Sequence, residues 1–121
     1  MTLQFLDFDT SEDAHGVICW DALASPRPIH NPGLLAEVAH LLSRLSELHG
    51  SPGPLDDGHL WDCDLQAHDI KHQSLPWHWH GHQLQWQLST QEALSNSITL
   101  SLTLTGSTEM AHTLALEFGN E

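Results

Sequence analysis

Cationic side chains are almost missing from this chain. Arg27, Arg44 and Lys71 are the only Lys and Arg among 121 residues, set against sixteen Asp and Glu, and the formal charge at pH 7 is −13. Such a surface repels phosphate backbones and anionic headgroups over a Debye length, so direct nucleic-acid binding is not expected. Long apolar runs are missing too. No stretch approaches the roughly 20 residues that a membrane-spanning helix needs, so no membrane span is expected. The N-terminus, Met1-Thr2-Leu3-Gln4-Phe5-Leu6-Asp7, lacks the basic then apolar sequence of a signal peptide, which makes a cytoplasmic location the expectation.

Cysteine is limited to Cys19 and Cys63, too far apart for a CxxC redox or zinc knuckle. Each lies beside a Trp in a predicted strand, where a free thiol behaves as a small apolar residue; a disulfide between them is the lesser alternative. The chain also has no GxSxG elbow, no glycine-rich phosphate loop and no HExxH pair, and Asp56-Asp57-Gly58 does not continue as an EF-hand loop. No catalytic motif is left to name.

Histidine, by contrast, is abundant. Eleven imidazoles, with a reference pKa near 6.5, make the net charge depend steeply on pH just below neutrality.

Hydrophobic patterning predicts one α+β domain over residues 1–121. The firmest element is an amphipathic helix, about residues 32 to 49. Asn31 is placed to cap it, Pro32 suits its first turn, and Gly50 with Pro52 stop it. Leu34, Leu35, Val38, Leu41, Leu42, Leu45 and Leu48 recur at helical spacing, and Glu37, His40, Arg44 and Glu47 fall on the opposite, solvated face. Strands are predicted over 3–8, 16–23, 59–66, 82–89, 98–105 and 113–118 from alternating apolar and polar residues, with a hairpin loop over 9–15, an irregular segment over 67–76 and a loop over 90–97. The order is ββαββββ: one helix on one face of an antiparallel sheet of about six strands, the last three joined as a meander. The second face of that sheet carries Gln, Thr, Ser and Asp.

Two patterns are candidates for function. In Trp77-His78-Trp79-His80-Gly81-His82, an extended chain puts His78, His80 and His82 on one face, with successive histidine Cα atoms roughly 6 to 7 Å apart. Together with a further ligand they form a candidate site for Zn, Ni or Cu. The strand register sets a competing reading. A bulge or bend at Gly81 reverses parity, sends Trp77 and Trp79 to the core and leaves His78 and His80 in water. Without that reversal, Trp77 and Trp79 join Gln83, Gln85 and Gln87 in an exposed platform. The second pattern is Asp62 and Asp64, which share an outward strand face as a candidate interaction surface or acid pair. The sequence therefore favours a non-enzymatic accessory domain whose acidic surface or sheet face contacts a protein partner, either a basic one or a second copy as a homodimer. Transition-metal binding through the histidines is the alternative.

Overall fold

A computed structural model describes residues 3–119, so the ends of the predicted 1–121 span lie outside the described residues. The chain is α+β. A long helix packs on one face of an antiparallel sheet, and six strands and one long helix follow in the order ββαββββ when two shorter helices are set aside. Four strands form the main sheet: β1 (Asp9–Glu12), β2 (Ile18–Ala24), β3 (Trp61–His68) and β6 (Thr99–Gly106), in spatial order β1-β2-β6-β3. The other two, β4 (Trp77–His80) and β5 (Gln83–Trp86), form a separate hairpin. The predicted meander of the last three strands is thereby corrected, since β6 inserts between β2 and β3 instead of following β5.

The sheet is two-sided because its side chains alternate. Ile18, Trp20 and Ala22 of β2, Trp61, Leu65 and Ala67 of β3, and Leu100, Leu102 and Leu104 of β6 are buried on the inner face. They merge with Leu34, Leu35, Val38, Leu41, Leu42 and Leu45 of α1 (Asn31–His49) into one core. Gly50, with φ +85°, ends α1, and its carbonyl accepts the indole N–H of Trp61 at 2.8 Å, which pins the helix end to β3.

The helix is enclosed from more directions than its periodicity implies, and its buried polar residues show how. Glu37, assigned to the solvated face by spacing, is only 4% exposed. Its carboxylate accepts backbone N–H groups from Gln4, Phe5 and Leu6, the last two at 2.9 Å. Those amides need no strand partner, which explains why the predicted strand over 3–8 is an irregular strap. Phe5 packs over the first turn of α1, where a Cβ on Gly33 would meet its ring at 2.9 Å. Strand β1 forms instead in the predicted hairpin loop, and the turn to β2 is held by Asp13, whose carboxylate accepts from the N–H of His15 and Val17. Those backbone hydrogen bonds lower the Asp13 pKa.

Asn31 does not cap α1. It is the first helical residue and fully buried, and its side-chain amide donates to the carbonyls of Ala93 and Asn96 at 2.9 and 2.6 Å. These bonds tie α1 to α2 (Thr90–Ser95), a short helix in the predicted 90–97 loop that opens with a Ser89/Glu92 capping box. The predicted strand over 113–118 is also corrected. It belongs to α3 (Thr108–Phe118), in which Met110, Leu114 and Phe118 recur every four residues toward the core and Leu116 is exposed. Arg44 bonds Glu117 at 2.6 Å, His49 bonds Thr113 at 2.8 Å and His40 meets Phe118 edge-on, so α3 runs antiparallel beside α1.

Candidate functional site on the open face of the sheet

The histidine cluster resolves into a turn. Trp77 pairs with Trp86 and Trp79 with Leu84, while His78 pairs with Gln85 and His80 with Gln83, so Gly81 and His82 form a two-residue hairpin connection. Gly81, at φ +62°, sits at the first central position, where a II′-type turn calls for glycine. The chain therefore reverses at Gly81 and does not continue as one strand.

Trp77 and Trp79 consequently share the inward side with Leu84 and Trp86, and all pack on the core. The indole N–H of Trp86 donates to the Leu35 carbonyl, and the backbone N–H of Leu84 donates to the Ser43 hydroxyl, both at 2.9 Å. The exposed Trp platform does not form. His78 and His80 point outward, side by side and exposed. His82 leaves them, and its Nδ1 lies 2.7 Å from the Ser46 hydroxyl on α1. The three imidazoles are thus not brought together, and among the described residues no group of three or more His, Cys, Asp or Glu side chains is arranged to hold a metal ion.

Asp62 and Asp64, by contrast, belong to an extended surface. The cross-strand register aligns Asp9, Asp21, Thr103 and Asp64 in one row across all four strands, and Ser11, Cys19, Thr105 and Asp62 in the next. All eight side chains lie on the outer face, opposite α1. Neighbouring strands are about 4.8 Å apart, so four carboxylates share an area spanning roughly 15 Å. Thr103 donates its hydroxyl to Asp21 at 2.7 Å, and Gln66 donates weakly to Asp64 at 3.4 Å. No Lys or Arg occupies an outward position on any of the four strands.

Both thiols flank this surface and both are free. Cys63 is on the inner side of β3, opposite Leu104, where burial and then the charges of Asp62 and Asp64 push its pKa up to about 12. Cys19 is on the outer side; desolvation, then the nearby Asp21 carboxylate, raises its pKa as well. Both shifts favour the protonated thiol over the nucleophilic thiolate.

Toward its other end the open face changes character. The rows here are Leu23, Ser101 and Gln66, then Thr99 and His68. Leu23 is 72% exposed, and Ile70, on the loop that follows β3, is 73% exposed. A cavity of about 530 Å³ opens beside Thr99, lined by His68, Asp69, Ile70, His72 and Ser97. Sequence analysis left this end unassigned, because Ile70 falls in the irregular segment over 67–76 and the strand order that brings Leu23 beside it is not written in any local pattern.

No family model, curated protein or solved structure matches the chain. Any functional reading therefore rests on the geometry of the surface itself. Among the described residues, no helix is long and apolar enough to cross a membrane.

Proposed function

We propose that this chain is a non-catalytic interaction domain that docks a basic protein on the open face of its four-stranded sheet. The observation that carries the reading is the row of Asp9, Asp21 and Asp64, with Asp62 in the row beside it, on a face whose strands present no Lys or Arg. Three exposed carboxylates, Asp9, Asp21 and Asp64, and the half-buried Asp62 on one sheet face form a field that attracts cationic side chains and speeds encounter with them. The −13 charge of the chain extends that field beyond the contact area. It also disfavours a face-to-face homodimer, which would stack the carboxylates of two copies.

The direct test is titration with an extended lysine–threonine peptide of about a dozen residues and with a panel of basic proteins, at low and moderate ionic strength. Association is expected at low salt and should weaken about tenfold or more as screening shortens the Debye length from roughly 30 Å toward 8 Å. Asp21→Asn with Asp64→Asn should weaken it several-fold and flatten the salt dependence. If neither the peptide nor any basic protein associates at low salt, the reading is wrong.

A further inference from the structure

We infer that the loop end of the open face is an apolar anchor site, so that a basic partner docks in one direction, with an apolar side chain at Ile70 and its cations over the aspartates. This inference rests on the basic-partner reading and adds a partner chemistry and a register to it.

Ile70 stands out from its loop into solvent. A β-branched apolar side chain that is 73% exposed is ordinary on a loose loop, but this loop is not loose. The Asp69 carboxylate accepts from the N–H of Lys71 at 2.8 Å and of Gln73 at 3.0 Å. The Asp69 N–H donates to the Gln73 carbonyl, and the His72 N–H donates to the Asp69 carbonyl, both at 3.0 Å. His68 then bridges to Ser74, and Leu75 donates back to Ala67 at 2.8 Å. The loop is closed on itself, and Ile70 is held out from it beside the cavity at Thr99 and His68. An apolar group fixed in place before contact loses little conformational entropy when it is covered.

The second step is direction. Lys71 lies on this loop, and Arg27 follows the end of β2 at the same end of the sheet, so two of the three cations sit away from the aspartates. The strand aspartates lie at one end of the face, and the other end is apolar, with Lys71 and Arg27 near it and the Asp69 carboxylate engaged by amides of its own loop. A cationic segment laid along β6 in the reverse sense would place its own charge near Lys71 and leave Leu23 and Ile70 uncovered. Along β6, Thr99 and Thr103 are four residues apart, about 13 Å in an extended chain. An extended partner segment therefore needs its apolar residue about four positions from its first lysine.

Three peptides test this by fluorescence anisotropy: the lysine–threonine peptide, the same peptide with leucine four positions from a lysine pair, and one with leucine amid the lysines. The intact chain is compared with Ile70→Ser, whose fold is checked by circular dichroism. The four-position peptide is expected to bind about five- to tenfold tighter than the other two, and Ile70→Ser should remove that gain while leaving the all-polar peptide unchanged. Equal binding of all three peptides, insensitive to Ile70→Ser, overturns the anchor and leaves the acidic docking face standing. Absence of binding by all three overturns both. Sedimentation of the chain alone supplies a further arm: a dimer lost in Ile70→Ser would give the apolar end to a second copy and overturn the basic occupant.

Discussion

Among the described residues, Glu37 is the one charged side chain that is buried. Its carboxylate satisfies three backbone donors of the strap over residues 4–6, one of them buried, so removing it strands donors as well as losing charge-assisted bonds. Glu37→Ala should cost about 3 to 5 kcal/mol in urea unfolding, and Glu37→Gln about 2 kcal/mol, since an amide oxygen still accepts some of these bonds. Hydrogen exchange at Phe5 and Leu6 should quicken in both variants; unchanged exchange would mean the strap is held by Phe5 and Leu6 packing alone.

Cys63 makes a second prediction at the same scale. Burial pushes its pKa up to about 12 from an ordinary 9.0, so the folded state binds more protons than the unfolded one between those values. Stability is therefore complete below pH 9 and falls as pH rises toward 12, by roughly 4 kcal/mol in all. Cys63→Ala should flatten that alkaline limb in a denaturant series, and alkylation of native Cys63 at pH 7.5 should be slow compared with the unfolded chain. An alkaline limb of equal slope in the variant would assign it to other groups.

At the scale of elements, the parts legible in the sequence were those whose period repeats many times. Helix α1 spans five turns of consistent apolar spacing, and β6 alternates over eight residues, so no second period fits either. The 113–118 segment offered only Leu114, Leu116 and Phe118, a set that fits period two as readily as a helix. Met110, four residues before Leu114, supplies the helical stripe of α3, and Leu116 is the residue that separates the two readings. Leu116→Glu should shift stability by less than about 0.5 kcal/mol, whereas Met110→Ala, at a fully buried site, should cost about 2 to 4 kcal/mol. Similar costs for the two would return this segment to a strand.

Helix α2 was legible in principle from the Ser89-Thr-Gln-Glu92 capping box. The strap over 3–8 was not. Its alternation is genuine, and only a carboxylate from 31 residues away replaces its ladder. The histidine turn was half legible, because a bulge or bend at Gly81 was one of two readings of the register but the hairpin around it was not among them. That hairpin separates His82 from the other two imidazoles. His82→Ala should therefore leave zinc or nickel affinity unchanged within about twofold while loosening the hairpin from α1 by about 1 kcal/mol through loss of the Ser46 bond. A tenfold loss of metal affinity in His82→Ala would show that the three imidazoles act as one site.

For the molecule as a whole, the quantity that joins fold to proposed function is charge. Among the described residues, the helices leave the outer face of the sheet uncovered, and the four strands carry no lysine or arginine. Asp62 and Asp64 were visible as an outward pair from alternation alone. Asp9 and Asp21 joined them only through strand order, which no local pattern encodes. Acidification separates the two sources of attraction that such a face offers. Protonating all eleven histidines would move the formal charge from −13 to −2 while leaving the number of carboxylates on the face unchanged. Solubility should therefore fall toward pH 5, as light scattering would show. If the field of the whole chain drives docking, affinity for the lysine–threonine peptide at fixed low salt should drop about tenfold between pH 7.5 and 5.5. An affinity that holds across that interval, yet is still reduced by Asp21→Asn with Asp64→Asn, would assign the attraction to the carboxylates of the sheet face alone.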